Sequence, residues 1–283
     1  MNTVGKIGEI WRYPVKSMRG ERINKTHVGM KGVAGDRGWA VRDDEVGEVR
    51  GGRNLPALMN LAAVYPTEPQ AEPYPAAMIT FPDGEQIASN ADSINARLSN
   101  FLGKNASVWP LMPESDKEHY RRLPMDEAEI RRLFARLPDE PVPDLTKFPE
   151  VLMDYVAFPG TYFDAFTIHL VTSSTLRHME QLNPASNWSV LRFRPNFVID
   201  TGDEPGTPEY SWGGRILKIG EVELECLGPC PRCAMTAHPQ MDDIDKDPKI
   251  LRTIVRETDQ NLGIYCTVKK TGQVNTGDTC SLA

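Results

Sequence analysis

Long apolar runs and a basic excess are both missing from this sequence of 283 residues. No apolar stretch approaches the roughly 20 residues that a membrane-spanning helix needs. The N-terminal residues also lack the apolar core of a signal peptide. The net charge is −7, whereas proteins that bind nucleic acid in general usually carry a basic surplus. We therefore expect a cytoplasmic protein with no membrane anchor and no nucleic-acid binding.

Nucleotide-binding motifs are absent as well, and so are cysteines from most of the chain. The glycines give neither a P-loop nor a G-x-G-x-x-G segment between a strand and a helix. All five cysteines follow residue 225, and they are Cys226, Cys230, Cys233, Cys266 and Cys280. An odd number of cysteines without an export signal does not suit a disulfide framework, so we expect reduced thiols.

Short segments with strand character dominate what the sequence does contain. Helical periodicity is limited to a few segments, including Asp92 to Leu102, Asp126 to Leu137 and Asp247 to Arg256. The pattern predicts an α+β fold that is dominated by β-structure. Residues 138–149 are rich in proline and polar side chains, which is typical of a linker or of a covering loop.

Basic side chains concentrate in three loops between predicted strands of the first half of the chain. They are Lys16, Arg19, Arg37, Arg50 and Arg53. One such charge by itself is usually a solvated surface group. Three similar basic loops between short strands make an anion-binding site the more plausible interpretation of the set.

Two further segments are candidates for the same site. The run Thr172-Ser173-Ser174 stands where a helix should begin, so its hydroxyls either cap that helix or, with free N–H groups, receive an anion. Arg192 and Arg194 alternate with apolar residues at the start of a predicted strand, so both should point to one face. Two guanidiniums in a core need an anionic partner, which is either a bound ligand or an internal salt bridge.

The strongest local signal is the cysteine pair of Cys230-Pro231-Arg232-Cys233. A proline before each cysteine stiffens the backbone, and the charge of Arg232 should favour thiolate over thiol. Four interpretations are open: a zinc site that also uses Cys226 and His238, a dithiol redox motif, an inert pair, and a single thiolate that binds the metal of an anionic cofactor. The redox motif fits least, because it normally opens a helix and this pair leaves a hairpin.

Four motifs occur in an order that resembles one known family. They are Tyr13-Pro14-Val15-Lys16-Ser17, Gly35-Asp36-Arg37, Phe193-Arg194-Pro195-Asn196 and Cys230-Pro231-Arg232-Cys233, followed by a tail from Gly263-Ile264-Tyr265 to Gly277-Asp278. The order is similar to that of MOSC proteins with an associated N-terminal β-barrel domain. In type, the chain resembles the amidoxime-reducing molybdenum enzymes and the bacterial proteins that detoxify N-hydroxylaminopurine.

This resemblance implies a fold of two closely joined β-barrel-like units with peripheral helices. The MOSC-associated barrel domain is expected at residues 1–125 and the MOSC domain at residues 126–283. The resemblance also implies a molybdenum–molybdopterin cofactor, with molybdenum bound by the catalytic thiolate of Cys233. The cofactor contacts that the resemblance implies are Lys16, Ser17, Arg37, Thr172, Ser173, Ser174, Arg194 and Asn196. We add Arg53 of the basic loops and Arg232, which precedes Cys233, to this set.

An enzyme of this type reduces N-hydroxylated compounds, such as amidoximes and N-hydroxylated bases. The sequence shows no C-terminal ferredoxin-like segment with a cluster-binding series of cysteines, so we expect its electrons to come from a separate protein. Related domains also occur in cofactor sulfurases. A non-catalytic carrier or sensor of the molybdenum cofactor, or a sulfur-handling thiol protein, is therefore the alternative.

Overall fold

Strands account for most of the regular structure in the computed structural model, which describes residues 2–141 and 149–283. The strands are β1 (Asn2–Arg12), β2 (Glu21–Ile23), β3 (Lys25–Gly29), β4 (Gly32–Val33), β5 (Trp39–Asp43), β6 (Glu48–Arg50), β7 (Ala62–Val64), β8 (Met78–Thr80), β9 (Gln86–Ala88), β10 (Ala106–Pro110), β11 (Ile168–Thr172), β12 (Phe197–Asp200), β13 (Ile216–Ile219), β14 (Val222–Pro231), β15 (Asn261–Lys270), β16 (Gly272–Asn275) and β17 (Thr279–Leu282). The α-helices are α1 (Ile94–Leu102), α2 (Glu127–Leu133), α3 (Val151–Asp154), α4 (Ser173–Leu182) and α5 (Pro248–Thr258). The predicted dominance of β-structure is confirmed.

Seven strands close into a barrel around the larger hydrophobic core. Their order is β12-β11-β15-β14-β13-β17-β1, and pairing between β1 and β12 closes the ring. Neighbouring strands are antiparallel except β11 and β12, which are parallel. Inward side chains alternate with outward ones: in β14, Val222, Leu224 and Cys226 are buried, whereas Glu223 and Glu225 are partly exposed. The barrel interior is therefore continuously apolar.

The N-terminal unit is built from small three-stranded sheets. The sheets β10-β5-β6 and β7-β8-β9 enclose, with α1, a second core that includes Leu58, Ile79 and Leu98. A third sheet, β16-β3-β4, pairs a C-terminal strand with N-terminal ones. Because β1 belongs to the barrel and β16 to this third sheet, the two units exchange strands in both directions. The division after residue 125 stays a prediction, and residues 142–148 of the predicted linker lie outside the described residues.

Three of the predicted helices differ from the structure at their ends. α1 begins after Ser93, whose side chain makes no capping hydrogen bond, and not directly after Asp92. α2 ends at Leu133, so Leu137 is not part of its apolar stripe and is 48% exposed. The start of α5 agrees with the prediction, because the helix begins directly after its expected cap, Asp247; it continues past the predicted end at Arg256 to Thr258.

The predicted strand at Arg192 and Arg194 is wrong. Val190–Arg192 form a short 3-10 helix, and β12 starts only at Phe197. Arg194 has a φ of +55°, which is incompatible with an extended strand, and Pro195 has no N–H to donate to a sheet. The two arginines therefore do not share a face.

Candidate functional site

One cavity between the two units brings together most of the predicted cofactor contacts. Its lining includes Lys16, Ser17, Arg37, Arg53, Arg194, Asn196, Arg232 and Cys233. The predicted contacts Thr172, Ser173 and Ser174 do not line it. Among the described residues, six cationic side chains line this cavity against a single carboxylate, that of Asp164. Such an excess of positive charge in a concave site attracts anions.

Three of these lining residues have backbone conformations that L-amino acids rarely adopt. The φ angle is +70° at Ser17, +50° at Arg37 and +55° at Arg194. A non-glycine residue in this region costs about 1 kcal/mol or more, and it persists only where its surroundings fix it. Strained positions gather at functional sites. The concentration of three of them on one cavity therefore supports a functional role for it.

Tyr13, which is fully buried, orients two of the arginines. The guanidinium carbons of Arg37 and Arg194 lie 4.7 Å and 4.3 Å from the centre of its ring. Cation–π contacts of this kind stabilise cations where water is excluded. Tyr13 Oη donates to the carbonyl oxygen of Pro195 at 3.1 Å. Burial raises the pKa of Tyr13, so its hydroxyl stays protonated and the ring stays neutral.

Asp36 connects the same arrangement to Asn196. Its carboxylate accepts hydrogen bonds from Tyr13 N and from Asn196 Nδ2, each at 2.7 Å, and it pairs with Arg37. Asp36 is 4% exposed, so three donors share one buried negative charge. The Gly35-Asp36-Arg37 motif thereby fixes both a cation and an amide of the cavity lining.

Lys16 reaches from the N-terminal unit to the segment before the barrel. Its Nζ donates to Tyr162 O at 2.7 Å and to Asp164 Oδ1 at 2.8 Å, and Arg53 donates to the same Asp164 oxygen at 3.2 Å. Burial lowers the pKa of Lys16, and Asp164 opposes that change. Withdrawal from water by itself raises the pKa of Asp164, but Lys16 and Arg53 outweigh it and hold this pKa well below its usual value. Asp164 is therefore ionised.

A pair of glycines packs against Lys16 and Ser17. Ser17 Oγ accepts a hydrogen bond from Gly52 N at 2.7 Å. A Cβ atom at Gly51 would lie 2.7 Å from that oxygen, closer than real Cβ contacts come. The loop that carries Gly51 and Gly52 can approach Ser17 this closely only because residue 51 is glycine. The same loop brings Arg53 to the cavity.

Cys233 and Cys230 have different surroundings. Cys233 is partly exposed and lines the cavity, and its side chain takes no part in capping the short helix Ala234–Ala237. Cys230 is fully buried within β14. Arg232 donates from Nη1 to Cys230 Sγ at 2.9 Å and from Nη2 to Phe193 O at 2.8 Å. Arg232 does favour the thiolate form of Cys230, as expected, but burial raises the pKa of that thiol by more than Arg232 lowers it.

The zinc interpretation has no geometric support in the part of the chain that the structure describes. No group of three or more His, Cys, Asp or Glu side chains there could hold a metal ion. Cys226 lies in the barrel core, with its Sγ 3.9 Å from that of Cys266. All five cysteines are free thiols. Of the alternatives that the sequence left open, the one that uses Cys233 alone agrees with the position of this residue at the cavity lining, and it stays a prediction.

The hydroxyls at the start of α4 are occupied within the protein. Thr172 is the N-cap of this helix and donates to Glu209 Oε2 at 2.7 Å. Ser174 Oγ is 2.6 Å from Thr201 Oγ1, and Ser173 Oγ accepts from Thr201 N at 3.1 Å. This arrangement supports the capping interpretation. A cofactor role for these three residues stays a prediction that the geometry does not strengthen.

Arg192 is satisfied away from the cavity. Its guanidinium donates to the carbonyl oxygens of Asn187 at 2.8 Å, Asp245 at 2.8 Å and Thr236 at 3.1 Å. Neutral carbonyls thus take the place of the bound anion or salt bridge that the sequence suggested. Of the two arginines, Arg194 is the one that lines the cavity.

Sequence reasoning missed several residues of the lining. His169 lies in β11, and its Nε2 is 3.0 Å from Leu262 O. Burial, aided by the charge of Arg232, lowers the pKa of His169 well below its usual value, so the ring is neutral. The other polar residues that were missed are Arg122, Asp164 and Tyr265. Tyr265 stands in the Gly263-Ile264-Tyr265 tail, which was not assigned to the site. The other three stand in no motif with a distinctive spacing, and only long-range packing brings them to the cavity.

Comparison with known families identifies both halves of the chain. The MOSC N-terminal beta barrel domain matches residues 4–109, and the MOSC domain matches residues 159–281. This is a MOSC domain protein. Within the described residues, no helix of this MOSC domain protein combines the length and apolarity that a bilayer crossing requires.

Several named proteins are similar to the chain. It is 26% identical to mitochondrial amidoxime reducing component 2 of Bos taurus and 25% identical to that of Homo sapiens, in each case over 98% of this chain and 83% of the relative. It is 37% identical to molybdenum cofactor sulfurase of Drosophila ananassae over 39% of this chain and 14% of that protein. The crystal structure of the YUAD protein from Bacillus subtilis aligns with 98% of this chain and 94% of its own, at 14% identity and a TM-score of 0.46.

Proposed function

We propose that this MOSC domain protein is a molybdenum-cofactor-dependent oxidoreductase that reduces N-hydroxylated compounds. Its substrates are amidoximes or N-hydroxylated bases, and a separate donor protein supplies its electrons. The observation that carries the proposal is the cavity, in which Cys233 shares the lining with a cluster of cations from both units. Similarity to two amidoxime reducing components over nearly the whole chain supports the same chemistry.

The residues of the cavity fit a molybdopterin cofactor. The phosphate and polar edge of a pterin need positive charge and donors, which Lys16, Arg37 and Arg194 offer at the lining. Within the described residues, the buried Nε of Arg232 has no hydrogen-bond partner. A buried donor without a partner is costly, and a bound polar group would satisfy it. Thiolates are ligands of soft-ligand-tolerant metals, and Cys233 presents a thiol at the lining.

Each of these residues then has a defined task. Cys233 holds the metal through its sulfur, and Lys16, Arg37 and Arg194 bind the anionic part of the cofactor. Tyr13 and Asp36 keep the two arginines oriented. When bound, the cofactor supplies a redox-active metal that exchanges two electrons. The overall reaction consumes two electrons and two protons, breaks the N–O bond of the substrate, and releases the oxygen as water.

The proposal is tested by producing the protein in a host that makes molybdopterin. We expect bound molybdenum by metal analysis and reduction of benzamidoxime with an artificial electron donor. Cys233→Ser should abolish reduction, whereas Cys226→Ser, which changes a thiol of the barrel core, should leave much of it. Equal loss from the two substitutions contradicts the role of Cys233. Stoichiometric zinc in place of molybdenum contradicts the cofactor.

A second candidate is a non-catalytic carrier or sensor of the molybdenum cofactor, or a sulfur-handling thiol protein. The observation that favours it is the similarity of 39% of the chain to a molybdenum cofactor sulfurase. Bound molybdenum without turnover of any N-oxygenated compound would support this candidate over the reductase.

The electron donor, the lack of nucleic-acid binding and the location of the protein also stay proposals. The similar bovine and human proteins are named as mitochondrial. A cytoplasmic location is what we propose for this chain.

A further inference from the structure

Besides Phe163, Ala165, Phe166, Phe193, Pro231 and Met235, the cavity lining has an apolar part whose residues lie on either side of residues 142–148 in the sequence. It consists of Met125, Ile130, Leu133, Phe134, Leu152 and Met153, which we call the apolar wall. These residues all lie between residue 109, where the first family match ends, and residue 159, where the second begins. The apolar wall is therefore a property of this chain outside both matched domains.

A buried glutamine fixes the apolar wall relative to Cys233. Gln260 is 2% exposed. Its Nε2 donates to Phe134 O at 3.0 Å and to Arg232 O at 2.8 Å, and Arg232 N donates to Gln260 O at 2.7 Å. Because Arg232 directly precedes Cys233, one side chain ties the apolar wall to the segment that carries the thiol.

Further contacts hold residues 123–140, which include part of the apolar wall, against both units. Arg252 of α5 pairs with Glu140 at 2.7 Å, and Leu123 N donates to Glu48 Oε1 in β6 at 3.2 Å. These contacts lie on both sides of residues 125–134 and hold that part of the apolar wall in place, as is usual for small-molecule sites, which are largely formed before a ligand arrives.

The apolar wall is not simply part of a packed core. Met153 is 44% exposed, and Ile130 and Phe134 are only partly buried. Covering such side chains with an apolar group contributes about 25 cal/mol for each Å² removed from water. A charged group placed there would lose hydration without gaining a partner.

We infer that the apolar wall binds the body of the substrate, and that this substrate is an uncharged N-hydroxylated compound that carries an aromatic or aliphatic group. The inference rests on the proposed function, because it places the N–O bond near Cys233 and the rest of the same molecule on the apolar wall. Phosphorylated substrates are disfavoured, since their anionic groups compete for the cations that hold the cofactor.

The test compares benzamidoxime with acetamidoxime, which differ only in a phenyl against a methyl group. The two variants are Ile130→Asp and Met153→Asp, and the control is Leu137→Asp in the same segment, at a position 48% exposed that does not line the cavity. Since one well-packed apolar group is worth about 10- to 200-fold in kcat/KM, wild type should prefer benzamidoxime at least tenfold. Both variants should lose most of this preference, because the KM for benzamidoxime should rise far more than the KM for acetamidoxime, and molybdenum content should change little. Leu137→Asp should behave as wild type.

Calorimetric binding of benzamidoxime separates this inference from the proposed function. If wild type binds benzamidoxime but reduces neither compound, and the two variants weaken binding about tenfold, the proposed substrate subsite on the apolar wall stands and the reductase proposal fails. If both compounds are reduced, and the preference is absent or is the same in wild type and both variants, the reductase proposal stands and the subsite is overturned. Absence of benzamidoxime binding to wild type also overturns the subsite.

Discussion

Asp36→Ala should destabilise the protein far more than the loss of a surface carboxylate does. Asp36 is 4% exposed, and its carboxylate accepts hydrogen bonds from Tyr13 N and Asn196 Nδ2 at 2.7 Å each and pairs with Arg37. Its removal leaves two buried donors unsatisfied, each costing about 1–3 kcal/mol. Breaking a buried ion pair from one side costs about 3–5 kcal/mol. Because these costs overlap, we expect the free energy of unfolding to fall by about 3–5 kcal/mol.

The assay is urea unfolding followed by tryptophan fluorescence, with Asp83→Ala as the matched control. The Asp83 side chain is 60% exposed and pairs with Arg97 at 2.5 Å; such surface pairs contribute about 0–1 kcal/mol. Molybdenum content should fall in Asp36→Ala, because Arg37 and Asn196 lose their orientation, and should be normal in Asp83→Ala. Equal destabilisation by the two substitutions would refute the organising role of Asp36.

Two other substitutions have definite expected outcomes. Burial raises the pKa of Glu209 above its usual value, although hydrogen bonds from Thr175 and Thr172 oppose it. The stability that Glu209 contributes is therefore present below its unfolded pKa of about 4.3 and is lost as pH rises through its folded pKa. Urea unfolding at a series of pH values should show wild type losing stability relative to Glu209→Gln over that range; a constant difference would contradict this. Gly51→Ala places a Cβ 2.7 Å from Ser17 Oγ, so it should cost about 1–3 kcal/mol and lower molybdenum content. Gly29→Ala, where the nearest atom is 4.0 Å away, is the control, and equal effects of the two would show that the close approach at Ser17 is unimportant.

Features that depend on neighbouring residues were predictable from the sequence. Alternation in Val222 to Cys226 gives the buried face of β14 correctly. The order Asp247-Pro248 marks the start of α5, because an aspartate caps the helix and a proline fits its first position. Of the five basic-loop residues, Lys16, Arg37 and Arg53 line one cavity and Arg19 and Arg50 do not; the anion site itself stays a prediction.

Features that depend on long-range packing were not predictable. Nothing in the local sequence shows that Arg232 donates to Phe193 O or that Arg192 donates to the carbonyl oxygens of Thr236 and Asp245. The positive φ of Arg194 carries no signal of its own, because no glycine marks it. The apolar residues Ile130 and Leu133 of α2 line the cavity, and helical periodicity does not distinguish a core from the side of a cavity.

The coordination of molybdenum by sulfur tests most directly whether Cys233 holds the cofactor. X-ray absorption at the molybdenum edge counts sulfur neighbours in protein from a host that makes molybdopterin. We predict the same count in wild type and in Cys226→Ser, and one sulfur neighbour fewer, or no bound molybdenum, in Cys233→Ser. An unchanged sulfur count in Cys233→Ser, or a sulfur lost on substitution of Cys226, would contradict the site described above.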